Sequence, residues 1–101
     1  MSESTVTRRP KRQPTHPGEV LREDVLPAMN ATVTGFAQRT GMSRQTVHAI
    51  MAGTRSISPE AALRIGKVVG NGARVWLAMQ MEYDLWQSEQ ALHDELKALA
   101  A

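Results

Sequence analysis

Apolar residues recur along this chain at helical spacing, in segments separated by proline, glycine and small polar residues. Val20, Leu21, Val25 and Leu26 mark one face of a first helix. Pro17, whose fixed φ suits a first helical position, is expected to start it, with Glu19 well placed for the positive end of the dipole. Pro27 is expected to stop it. After Met29-Asn30-Ala31, the pattern predicts a second helix over 35–40 capped by Thr34, and a third from 44 to about Ala52 capped by Ser43. Gly53 supplies the C-terminal stop. Ser58-Pro59-Glu60 then sets cap, first-turn proline and carboxylate in succession, and predicts a fourth helix to Val69 with Ala62, Leu63, Ile65, Val68 and Val69 as its apolar contacts. Gly70-Asn71-Gly72 breaks that helix. These glycines are read as a turn, because no strand precedes them and no Lys-Ser/Thr comes after them.

From Ala73 to Leu99 no residue type interrupts a helix, which predicts one element of about 40 Å. Val75, Trp76, Leu77, Met79, Tyr83 and Trp86 form a wide core-facing stripe; Leu85, Leu92, Leu96 and Leu99 form a thinner seam. On a single copy that seam is exposed unless the helix folds back on its own domain, and it otherwise suits a dimer contact or a docking surface.

The stretch 33–52, VTGFAQRTGMSRQTVHAIMA, carries the spacing of a helix-turn-helix. Ala37 is the small residue of its first helix. Gly41, four residues later, suits a turn that uses positive φ. Val47 and Ile50 lie three apart on one face of the second helix and pack back onto the first. The outward face then reads Ser43, Arg44, Gln45, Thr46, His48 and Ala49, without a carboxylate, a surface suited to base readout in the DNA major groove. Thr34, Arg39, Thr54 and Arg55 are the expected phosphate contacts, because free amides and the positive dipole end gather at helix N-termini and the loop after a recognition helix lies near the duplex backbone. A plain αα-hairpin has the same two helices and a glycine, but it has no need of a carboxylate-free outer face.

Charge sharpens this division. The net charge of +2 says little, but Arg39, Arg44, Arg55, Arg64, Lys67 and Arg74 in 30–74 face only Glu60, whereas 82–95 carries Glu82, Asp84, Glu89, Asp94 and Glu95 with no Lys or Arg. One end attracts phosphate and the other repels it. The first 14 residues, with Arg8, Arg9, Lys11 and Arg12 among prolines and hydroxyls, read as a mobile basic arm. It is either a solvated tail, the usual reading of a charge run, or an additional phosphate or minor-groove contact.

At 101 residues the chain fits one domain with one modest core. Its expected organisation is the arm over 1–14, a DNA-binding domain over 15–87 and a helical extension over 88–101. No cysteine is present, no apolar leader opens the chain and no run reaches the length of a membrane span, which together imply a cytoplasmic protein, one expected on the nucleoid only when it is bound to its operator. His16, His48 and His93 stand apart and read as surface or capping residues, so no metal site is expected. Ser43 has no His/Asp partner, and no catalytic residue, cofactor or small-molecule substrate is expected.

With HPGEVLREDVL at 16–26, FAQRTGMSRQTVHAIMAG at 36–53, TRSISPEAALRIGKVVG at 54–70 and WLAMQMEYDL at 76–85, the chain resembles the Xre/Cro helix-turn-helix proteins and, within them, the HigA-type antitoxins of bacterial toxin–antitoxin modules. The resemblance spans about residues 15–87, and HPGE and WLAMQMEYDL are its most specific parts. It implies an all-α fold of five helices, lambda-repressor-like, with a long C-terminal helix. It also implies a homodimer on a palindromic operator in the module's own promoter, repressing its transcription, and direct neutralisation of a HigB-like toxin of the RelE ribonuclease fold. A stand-alone Xre regulator without a toxin, and an interaction module that no longer binds DNA, are the alternatives.

Overall fold

The computed structural model describes residues 12–99. Most of the expected basic arm, including Arg8, Arg9 and Lys11, lies outside the described residues. The described chain is helical throughout and contains no strand. Helix α1 covers residues 17–29, with α-helical turns Pro17–Val20 and Leu26–Met29 on either side of a π-helical turn, Leu21–Val25. Beyond it lie α2 (Val33–Thr40), α3 (Arg44–Met51), α4 (Pro59–Val69), α5 (Ala73–Ala91) and α6 (His93–Leu99).

Pro27 does not end α1. The Leu26 N–H reaches back five residues to the Leu21 carbonyl, and Pro27 is second in the regular turn next along the chain, where its missing N–H is tolerated. The helix ends instead at Asn30, in the left-handed region at φ 53°, with Ala31 N–H bonded to Leu26 O at 2.9 Å and Asn30 N–H to Pro27 O at 3.0 Å. Asparagine is the non-glycine residue best suited to such a stop.

The cap of α2 is Thr32 rather than Thr34. Thr32 is extended (φ −87°, ψ 162°) and its Oγ1 accepts the Gly35 N–H at 3.0 Å, which leaves Thr34 inside the first turn, where it cannot serve as a cap. Ser43 and Ser58 cap α3 and α4 as expected, accepting from Thr46 N at 3.0 Å and Ala61 N at 3.1 Å.

The predicted single C-terminal helix is broken at Leu92 (φ −104°, ψ 12°). Asp94 and Glu95 stand in the first turn of α6, where two carboxylates favour a new helix N-terminus. The break makes six helices among the described residues, where five were expected.

One core collects Leu21, Phe36, Ala37, Val47, Ile50, Ile57, Ala62, Ile65 and Trp76. Trp76 is its largest member, and its Nε1 donates to Asn71 Oδ1 at 2.9 Å, so its polar end is satisfied; truncating it to alanine costs about 3–5 kcal/mol. Four expected core residues are outside it, two of them, Tyr83 and Trp86, half-buried. Leu63 is 64 % exposed because α4 packs through Ala61, Ala62, Ile65 and Gly66 on its other face, and Val75 is 41 % exposed, one position off the line of Trp76 and Gln80.

The segment after α3 is tied to α5 by a buried side-chain amide. Gln80 Oε1 accepts the Ile57 N–H at 2.8 Å, and Gln80 Nε2 donates to Asp84 Oδ1 at 3.0 Å. Among the described residues no helix is long and apolar enough to cross a membrane.

Candidate nucleic-acid interface

The buried faces of α2 and α3 hold them as a unit: Ala37, Val47 and Ile50 are buried, as their spacing predicts, and Gly41 turns the chain at φ 72°. Met42 N–H returns to Ala37 O at 3.0 Å and Gly41 N–H to Gln38 O at 3.3 Å, which closes the end of α2.

Three further residues, none singled out for this by their spacing, fix where α3 sits. Gly18 of α1 lies so close to α3 that a β-carbon there would be 1.7 Å from the Ile50 carbonyl oxygen. Arg22 Nη1 donates to Met51 O at 2.6 Å, at the C-terminal end of α3. Arg64 Nη1 donates to Thr40 O at 3.0 Å, at the C-terminal end of α2, and its Nε pairs with Glu60 at 3.1 Å. Each guanidinium thus satisfies a last-turn carbonyl at the negative end of a helix dipole. These contacts span 29 and 24 residues of chain, so no local pattern announces them.

What remains outward is the expected face. Ser43, Arg44, Gln45 and His48 are exposed, and Thr46 and Ala49 are partly so. Ser43, Thr46 and Arg55 form a chain of contacts: Ser43 Oγ donates to Thr46 Oγ1 at 2.9 Å, and Arg55 Nη1 donates to the same oxygen at 3.0 Å. With two donors already on it, the Thr46 hydroxyl keeps its hydrogen for an outside acceptor. Arg55 is exposed, and the same bond holds it against the first turn of α3.

Of the other expected phosphate contacts, Thr34 and Arg39 are exposed on α2. Thr54 is exposed too, but its hydroxyl and amide both donate to Ala49 O, at 3.2 and 3.0 Å, so a phosphate contact from that hydroxyl requires its hydrogen bond to open. Arg39 and Arg44 form no ion pair among the described residues, which leaves both charges uncompensated.

His16 is buried as the cap of α1: its Nδ1 accepts the Gly18 N–H at 2.9 Å, and its ring meets Tyr83 edge-on at 4.8 Å between centroids. Burial pushes its pKa below 6.5, against the opposing pull of the Asp84 and Glu19 carboxylates. Among the described residues no group of three or more His, Cys, Asp or Glu is gathered as a metal site.

No family model matches the chain. Virulence-associated protein I of Dichelobacter nodosus is 37 % identical over 75 residues, covering 74 % of this chain and 69 % of that protein. Antitoxin HigA-1 of Vibrio cholerae is 31 % identical over 90 residues, covering 89 % of this chain and 85 % of its own length. The chain belongs to the HigA-type antitoxins of the Xre helix-turn-helix superfamily. Among solved structures, Pseudomonas aeruginosa antitoxin HigA with the higBA promoter aligns at a TM-score of 0.83 and 29 % identity, covering 88 % of this chain and 97 % of that one. In this HigA-type chain the two most specific segments meet each other: in HPGE, His16 caps α1 and Gly18 seats it on α3, and in WLAMQMEYDL, Tyr83 packs edge-on against His16 while Gln80 holds Ile57.

Proposed function

We propose that this HigA-type chain is an antitoxin and transcriptional autorepressor. It reads a palindromic operator through Ser43, Arg44, Gln45, Thr46, His48 and Ala49, and holds the duplex backbone through Thr34, Arg39, Thr54 and Arg55. The observation that carries the reading is the exposed, carboxylate-free outer face of α3, on which Arg44 stands without an ion-pair partner. Such a face offers bidentate amide and guanidinium donors to base edges and nothing that repels phosphate. The protein acts by binding, without catalysis or cofactor, in the cytoplasm.

A two-fold partner supplies the second recognition helix for a palindrome, one helical turn or about 34 Å away. The corner between α4 and α5, where exposed Leu63 stands beside Pro59 and Ala73, is an apolar surface available for a second copy. The toxin it neutralises is a small RelE-fold ribonuclease encoded beside it.

Fluorescence anisotropy with DNA from the chain's own promoter, against a scrambled duplex, tests the DNA half of this reading. Growth rescue on co-expression with the neighbouring reading frame tests the antitoxin half. Operator binding without rescue identifies a stand-alone regulator; equal binding to both duplexes removes the operator.

A further inference from the structure

The C-terminal helices carry a surface that operator binding leaves unused. Leu77, Met81, Leu85, Leu92, Leu96 and Leu99 recur at helical spacing along α5 and α6. All but Leu77 are open to solvent, from 41 % for Leu92 to 76 % for Leu99. At the α5 end, Leu77, Met81 and Leu85 line an apolar groove of about 400 Å³ whose floor is Ile57. An exposed apolar strip of this length marks a contact surface, because covering it releases water from apolar area.

The charge around the strip selects what covers it. Between Val75 and Leu96 the chain has Glu82, Asp84, Glu89, Asp94 and Glu95 and no Lys or Arg. Nucleic acid is repelled by such a surface. A second copy is opposed as well, since two-fold pairing of the strip sets the same carboxylates against themselves, with Lys97 as the nearest cation in the tail. A basic protein gains on both counts: its aliphatic side chains cover the leucines, and its lysines and arginines meet the carboxylate rim.

We propose that the 77–99 strip of α5 and α6 is the docking surface for a basic protein partner. The inference rests on the antitoxin reading, in which that partner is the toxin, and it moves self-association off the leucine seam where the sequence pattern allowed it. Because α6 is exposed along its whole length, side chains there can be changed without touching the core.

The test uses the full-length chain and, as probe, the purified toxin encoded by the adjacent reading frame, titrated by calorimetry at low and high salt. Two double variants are compared with the wild type: Leu92→Ser with Leu96→Ser, and Asp94→Lys with Glu95→Lys. Each is expected to weaken toxin binding at least tenfold, the charge variant mainly at low salt, while sedimentation stays unchanged; operator affinity stays unchanged in the leucine variant and does not fall in the charge variant, whose added lysines favour DNA. Wild-type affinity in both variants overturns the strip as the docking surface and leaves the antitoxin reading standing. Variants that sediment as smaller species than the wild type overturn it in favour of self-association. A wild-type chain that binds no toxin overturns the antitoxin reading and this inference together.

Discussion

Gly18 and Ile50 meet backbone to backbone: the α-carbon of one faces the carbonyl of the other with no room for a methyl group, since a β-carbon on residue 18 would lie 1.7 Å from that oxygen. The first helix therefore sets the tilt of the candidate recognition helix directly, with Arg22 fixing the next carbonyl, Met51 O, at 2.6 Å. Any outer-face contact depends on that seat.

Gly18→Ala is expected to force α1 and α3 apart and to destabilise the fold by about 1–3 kcal/mol, as overpacking does. Thermal unfolding measures it. An operator affinity reduced even well below the melting temperature would show that the seat also aims α3; an unchanged melting temperature would mean that the two backbones separate freely.

Gln45 is exposed in the first turn of α3, with an amide suited to the two polar atoms on the major-groove edge of adenine. Gln45→Ala should cost about 1–3 kcal/mol on the operator and little on scrambled DNA. Competition anisotropy decides; equal losses on both duplexes would make Gln45 a non-specific contact.

Arg55 is held by Thr46 Oγ1 at 3.0 Å, so a phosphate contact by Arg55 would be made from a side chain already positioned. Arg55→Ala should make the slope of log K against log salt shallower by about one unit. Thr46→Val, which keeps the charge but removes its anchor, should weaken binding with the slope nearly intact, and the two changes combined should be less than additive. Titrations at several salt concentrations separate these outcomes.

The pH dependence of stability should carry the mark of His16. Burial lowers its pKa below 6.5, so the unfolded chain takes up a proton before the folded one does, and stability falls as pH drops from 6.5 through the folded-state value. Protonated Nδ1 can no longer accept the Gly18 N–H. His16→Asn keeps an acceptor at the cap without a titrating ring and should flatten the profile in that window. Urea unfolding between pH 5 and about 8, where His titrates, provides the measurement.

Much of this fold is legible in the chain because its signals are local. Ser43 and Ser58 cap as their neighbours demand, Gly41 and Gly53 take the positive φ that their turns require, and Val47 and Ile50 are buried together. Where the structure differs, local signals of similar strength compete. Thr32 and Thr34 both carry a capping hydroxyl, but only Thr32 is extended; Pro27 reads as a stop unless a widened turn precedes it; Leu92 has no breaking residue beside it, only Asp94 and Glu95 ready to begin again. The outer face of α3 can be read from its spacing, but the contacts that position it cannot. Gly18, Arg22 and Arg64 act on backbone carbonyls that lie more than twenty residues away in the chain.

The widened turn at Leu21–Val25 makes the attachment of α1 a matter of residue count. It holds one residue beyond what a regular helix would place there, and an added residue rotates everything upstream by about 100° relative to the turns downstream. Leu26 on one side of the widened turn is in the core, and Gly18 on the other abuts Ile50 of α3, so the turn sets how these two surfaces are rotated relative to each other. A chain shortened by a single position here would keep its composition and its helical pattern while presenting a different side of the first helix, so length at this point is as constrained as any side chain.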